Sequence, residues 1–241
     1  RRVPAERVPA GEGHDRRHRG SARHEGHHCQ RAADHAGPAA LTLFAAAAVR
    51  TKHIMLGTSI TPIFPRHPLV VAQQAQVIAH LAPGRFRLGV GPGHKSTIEG
   101  IFGMDFRAPL GHLREYLRIL KTLLQKGSVD FTGRYYQAHA SIPSPIDMPV
   151  MASALQPKSF ELCGAEADGA ISWVCPPAYL RDVALPALRV GAERAGRPTP
   201  PLIAHAPVCV HENTEEVRAA VREQIMNPRQ PFYQRMFAAA G

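Results

Sequence analysis

The 241-residue sequence predicts an α/β fold, and three observations carry that reading. Five continuous apolar runs read as buried strands. Each is followed by a segment with helical periodicity, and the alternation is the signature of parallel strands covered by helices. No GxGxxG opens a helix after a first strand, and no GxxxxGK followed by Ser or Thr occurs, so nucleotide-fold fingerprints are missing. Five strands would serve an open doubly wound sheet, whereas a closed (β/α)8 barrel needs eight.

The elements follow in order from Leu41. "LTLFAAAAVR" reads as the end of a helix packed closely through alanine, and residues 53–60 as the first apolar strand. "HPLVVAQQAQVIAHLAPGR" predicts a helix from about Pro68, stopped by Pro83-Gly84. "RFRLGVG" is the second strand. In "PLGHLREYLRILKTLLQKG", Leu110, Leu113, Leu117, Leu120 and Leu124 share one helical face, and Gly127 terminates the helix. "VDFTGRYYQ" reads as a short hairpin with Thr132-Gly133 near its turn. "MPVMASAL" is a strand followed by a helix from about Pro157 to Ala167, and "DGAISWVC" a strand followed by a helix over roughly Pro177 to Ala195. "PPLIAHAPVCVH" is the fifth strand. "NTEEVRAAVREQI" is a helix with Asn213 or Thr214 as N-cap and acids in its first turn.

Residues 1–38 do not read like the rest. From Arg1 to Ala40 there is no Leu, Ile, Met, Phe, Tyr or Trp, while eight Arg, five acids and six of the 14 His fall there. Such a segment has too little to bury to offset its ordering entropy, so disorder is expected. Arg/His/Ala/Gly/Pro-rich sequence is also what a GC-rich gene yields when read out of register, so a translation artefact or truncated start is a second expectation. His24, His27, His28, Cys29 and His35 match no familiar zinc spacing, and no metal is expected.

The net charge is +10, and most of it lies outside that segment. A basic body favours anionic ligands, but no aromatic-interleaved basic run is present, so nucleic acid is not an expected partner. Cys163, Cys175 and Cys209 sit among apolar residues and read as buried free thiols, which fits a reducing cytoplasm. No apolar run approaches the length of a membrane span, and no export signal is read.

Two blocks carry a family likeness: "LGTSITPIFPRHPLVVAQQAQVIAHLAPGRFRLGVGPGHK" and "PVMASALQPKSFELCGAEADGAISWVCP". The chain resembles the bacterial luciferase-like monooxygenase superfamily from about Ala40 to Glu223, and within it the actinobacterial deazaflavin-dependent oxidoreductases. The resemblance implies a TIM (β/α)8 barrel with an insertion near strand 4, commonly a homodimer. It also implies FMN or the deazaflavin coenzyme F(420) at the C-terminal mouth. On that fold residues 53–60 match strand 3 and the other strands match 4 to 7. Strands 1 and 2 would fall in residues 1–38 and strand 8 beyond Gly241, so the barrel of residues 39–241 is expected to be incomplete. For the strand-2 His or acid that the resemblance implies, Asp34-His35 is the candidate pair.

Barrel sites lie at the C-terminal ends of the strands. There Gly57, Thr58 and Ser59 would give a flat tricyclic ring a surface with almost no side chain, and the resemblance implies a non-proline cis peptide after Ser59. The alternative is an ordinary strand exit. Gly91 and Gly93 of "GVGPGHK" permit close backbone approach, and His94 is the candidate proton donor or acceptor, or else a surface-loop histidine. Ala152, Ser153 and Ala154 are small again, and the helix start beyond them, with Lys158, suits a phosphate, unless it is a simple strand-to-helix loop. Trp173, the only tryptophan, walls the ring or substrate, or belongs to the core. Arg66, His67, Arg85 and Arg87 suit the phosphate and oligoglutamate tail of the deazaflavin.

The resulting expectation is an oxidoreductase moving a hydride between the coenzyme and a small organic substrate. The alternatives are an FMN-dependent two-component monooxygenase fed by a reductase partner, and an inactive fragment.

Overall fold

The computed structural model describes residues 39–224 and 231–240. The expectations for residues 1–38, including Cys29 and Asp34-His35, lie outside the described residues.

Helix α1 (Ala40–Arg50) leads to a split strand, β1 (Leu56–Gly57) and β2 (Thr61–Pro62). Helix α2 (Pro68–Leu81), strand β3 (Phe86–Gly91), helix α3 (Lys95–Gly100) and helix α4 (Pro109–Lys126) follow. Strands β4 (Ser128–Thr132) and β5 (Gln137–Ser141) form an antiparallel hairpin of their own. Then come β6 (Val150–Ser153), α5 (Pro157–Glu166), β7 (Ala170–Trp173), the short α6 (Pro177–Tyr179), a π-helical turn (Leu180–Ala184) and α7 (Leu185–Arg194). Strand β8 (Leu202–His205), α8 (Thr214–Gln224) and α9 (Pro231–Ala238) complete the described elements.

The main sheet runs β1-β3-β6-β7-β8, all parallel, with β2 beside the upper half of β3. The five expected strands therefore form one sheet, but two differ in extent. The first is not continuous over residues 53–60. Gly57 pairs with Arg87 and Thr61 with Val90, so four steps along this strand match three along β3. One extra residue is a bulge, and the cis bond between Ser59 and Ile60 sits within it. Ile54 and Met55 lie before the paired stretch and are exposed rather than buried. The fifth strand stops at His205. The apolar-looking residues beyond it make no ladder, and Val208 and Val210 are almost fully exposed.

Helix α4 is buried as its leucine spacing predicts: Leu113, Leu117, Leu120 and Leu124 have no exposed surface. Its end follows from Gly127, whose positive φ of 86° a glycine adopts without steric cost while its N–H closes on Leu123. Asn213 is the N-cap of α8, its side-chain oxygen accepting from the Glu215 and Glu216 amides. Cys163 is buried as expected, whereas Cys175 is half-buried and Cys209 exposed, which corrects the reading of three buried thiols.

The hairpin stands between β3 and β6, where the resemblance placed an insertion. Glu115 on α4 holds its turn, accepting from the amides of Arg134, Tyr135 and Tyr136 at 2.9, 2.9 and 3.1 Å. Hydrogen bonds to a charged acceptor are worth about 1.5–3 kcal/mol. Glu115→Ala is expected to destabilise the chain by about that amount and to speed hydrogen exchange at residues 134–136 selectively. Unchanged exchange there would show that the hairpin is held by other contacts.

Candidate active site at the mouth of the sheet

Successive residues of a strand face opposite sides, so the ladder register sorts mouth residues into two sets. Leu88, Val90, Val150, Ala152 and Ala170 are fully buried in the core. The concave side carries Gly89, Gly91, Met151, Ser153, Ile171, Trp173, Ile203 and His205 by that alternation. Ala152 thus faces away from the mouth, and its carbonyl accepts from the Cys163 thiol. Its assignment as a coenzyme contact is corrected: the methyl packs in the core. Ala154 is also buried, at 5 % exposure.

Small residues on the concave side are there because the strands approach closely. A Cβ on Gly89 would lie 2.1 Å from the Thr58 carbonyl oxygen, and one on Gly91 2.1 Å from the Ser153 hydroxyl. The same two strands are stitched by Thr58, whose hydroxyl donates to the Gly89 carbonyl (2.7 Å) and accepts from the Gly89 amide (2.9 Å). Thr58 is therefore buried and committed to backbone, not free to bond a ring. Gly57 pairs with Arg87 one step below. Gly93 takes a positive φ of 73° in the turn out of β3, packed on Ile98.

Ser59 is exposed, and its hydroxyl stands 3.0 Å from Nδ1 of His205. Trp173 meets His205 edge-on at 6.1 Å and keeps 49 % of its surface exposed, which removes the core alternative for this tryptophan. His205 was not among the sequence candidates. Its signal was present in "LIAH": in register with "AISW", the strand puts His205 beside Trp173.

His94 caps α3 with its carbonyl, which accepts from Thr97 and Ile98. One side of the residue meets solvent, but Phe232 stacks on its ring (5.7 Å, 7°) and Tyr233 tilts against it (6.0 Å). Burial by these neighbours holds its pKa below the usual 6.5, so the imidazole is neutral at pH 7. Helix α9, which sequence periodicity did not reveal, is thus a mouth element. The Phe232 carbonyl accepts from the Gln156 side chain (2.8 Å), and Met236 touches Cys175, whose thiol burial pushes up to about 11.

Most of the helix start offered for phosphate is already occupied. The Ser159 hydroxyl accepts from the Leu155 and Gln156 amides, and the Gln156 carbonyl accepts from the Ser159 and Phe160 amides. That narrows the expectation of free N–H groups to the Lys158 amide, and the Lys158 side chain is exposed with no ion-pair partner among the described residues. Arg85 is likewise structural: its guanidinium donates to the carbonyls of Ala48, Thr51 and Ile54, at the opposite end of β3 from the mouth.

The concave residues that remain open are the exposed Ser59, the half-buried Ser153, whose hydroxyl lies over the buried Gly91, and the exposed indole of Trp173. A curled parallel sheet of five strands with this mouth defines a partial (β/α) barrel presenting a candidate site at its C-terminal end. The chain belongs to the luciferase-like monooxygenase family, whose model matches residues 23–240. It is 34 % identical over 183 residues to an F(420)-dependent glucose-6-phosphate dehydrogenase of Nakamurella multipartita, covering 73 % of this chain and 51 % of that one. Among solved structures it is similar to the coenzyme F(420)-dependent tetrahydromethanopterin reductase of Methanopyrus kandleri: 26 % identity, TM-score 0.66, and 74 % and 57 % of the two chains. The monooxygenase RslO1 of Streptomyces bottropensis, 19 % identical with a TM-score of 0.65 over 85 % and 63 % of the chains, shares the fold. The chain spans about half the length of the curated relatives it matches. Among the described residues, no helix is long and apolar enough to cross a membrane.

Proposed function

We propose that the chain is the coenzyme-binding part of a deazaflavin-dependent oxidoreductase acting on a small organic molecule. The observation that carries this reading is the pair of hydroxyls at the strand ends, exposed Ser59 and half-buried Ser153, beside the exposed Trp173, set on a family whose similar members are F(420)-dependent enzymes. When bound, the coenzyme supplies the hydride chemistry. The chain's own residues hold and orient: Ser59 and Ser153 offer hydroxyls, Gly91 leaves room for the Ser153 side chain, and Trp173 flanks the open side.

We assign the substrate proton to His94, a reading supported by its position just after β3 and by its neutral imidazole. If an alcohol is oxidised, its carbon gives up hydrogen with the electron pair and its hydroxyl proton passes to the neutral imidazole. Reduction runs the same exchange backwards. Positioned proton transfer contributes about 10²–10⁴-fold, so His94→Ala is expected to leave coenzyme affinity unchanged and slow turnover by a factor in that range. Because burial lowers its pKa, the acid limb of the rate profile belongs below pH 6.5 and should vanish in the variant. An unaffected rate would remove His94 from the mechanism.

The experiment for the function itself is titration of purified chain with F(420) and with FMN, followed by absorbance and melting temperature. Stoichiometric F(420) uptake with a raised melting temperature is expected. Uptake of reduced FMN alone would favour the monooxygenase reading, and uptake of neither the inactive fragment. Homodimer formation and a reductase partner are proposals of the family resemblance, to be read by sedimentation and by co-purification.

A further inference from the structure

The Ser59–His205 hydrogen bond joins the two outermost strand positions of the sheet, the bulge after β1 and the end of β8, 146 residues apart. A serine at an exposed bulge would otherwise sample its three staggered rotamers. A shelf that must meet a flat ring needs one of them. The imidazole is itself held: β8 pairs with β7 along its whole length, and Trp173 closes edge-on against the ring at 6.1 Å and 86°. Among the described residues nothing else bonds either ring nitrogen.

We propose that His205 is a positioning residue for the coenzyme shelf, acting through Nδ1 on the Ser59 hydroxyl. The inference rests on the reading that this mouth takes the coenzyme. It does not require the imidazole to touch a ligand. Holding one hydroxyl in one rotamer is worth roughly one hydrogen bond, which is about tenfold in affinity.

The geometry separates this role from direct contact. An asparagine side chain places a polar atom where Nδ1 stands and nothing where Nε2 stands, and glutamine does the reverse. His205→Asn is therefore expected to bind F(420) within about threefold of the parent. His205→Gln and His205→Ala should bind about tenfold more weakly. Trp173, being the only tryptophan, makes intrinsic fluorescence a reporter of this spot alongside coenzyme absorbance. Ser59→Ala should lose at least as much as His205→Ala, and the double variant should be no worse than Ser59→Ala, because His205 acts only through the hydroxyl that Ser59→Ala removes. Melting temperatures of all variants establish that each is folded. Retention in His205→Gln with loss in His205→Asn would overturn the proposal in favour of direct ligand contact. Equal affinities throughout, or additive losses in the double variant, would overturn it too. A parent chain that binds no coenzyme would sink the functional reading and this inference with it, a result distinct from any variant pattern.

Discussion

Replacing Ser59 with tryptophan is expected to abolish coenzyme uptake while leaving the fold intact. Ser59 is solvent-exposed on the concave side, so an indole there meets no packed core, but it fills the space a planar ring would need. It also breaks the bond to His205. Affinity should fall by at least about 100-fold, equivalent to roughly 2.7 kcal/mol. The melting temperature without coenzyme should shift by no more than a few degrees, since exposed substitutions usually cost under about 0.5 kcal/mol. Unchanged affinity would move the site elsewhere. The smaller Ser59→Ala keeps the shelf open, so the contrast between the two separates lost volume from lost hydrogen bonding.

The largest expected effect on stability lies away from the mouth, where α5 crosses α7. Gly164 and Gly191 face each other there. A Cβ on Gly164 would stand 2.0 Å from the Leu188 carbonyl oxygen, and one on Gly191 2.0 Å from that of Glu161. Both obstacles are backbone, so no side chain can swing aside and the two helices must part. Overpacking costs about 1–3 kcal/mol, occasionally more, and Gly191→Ala is expected at about 3 kcal/mol because its added carbon meets three backbone atoms of Glu161. At about 2–4 °C per kcal/mol for a chain of this size, the melting temperature should drop by roughly 6–12 °C. The double variant with Gly164→Ala should cost less than the sum, since the first substitution already separates the helices. An unchanged melting temperature would mean that this helix pair is looser than its geometry.

Much of this architecture was legible because the local signals agree with the fold. Continuous apolar runs gave the parallel strands, the leucine spacing gave the buried face of α4, and Gly127 gave its end. What escaped the sequence depends on pairing rather than on local pattern. The split in the first strand needs the register against β3, and "HIMLG" looks as apolar where it is exposed as where it is buried. Strand β8 reads too long because "APVCVH" is apolar, yet it finds no neighbour to pair with among the described residues. Helix α9 is eight residues with few periodic positions, and only its contacts with His94, Gln156 and Cys175 give it meaning.

The candidate site was legible to a similar depth. Ser59, Gly91 and Ser153 were visible as small residues at strand ends, and the Ser153 hydroxyl lies over Gly91 while Ser59 meets His205. Thr58 and Ala152 satisfy the same rule of size but point into backbone and core, a distinction that only alternation along a paired strand makes. His205 shows the reverse case. Its histidine was plain in the sequence, but its partner lies 146 positions away, beyond the reach of any local pattern.

The most direct test is a crystal structure of the chain soaked with F(420). Density for the tricyclic ring lying flat across Ser59 and Ser153, with Trp173 at its margin, is the predicted result. A ring bound elsewhere, or a mouth closed over by Phe232 and Tyr233 in crystals whose protein demonstrably takes up the coenzyme, would contradict the assignment.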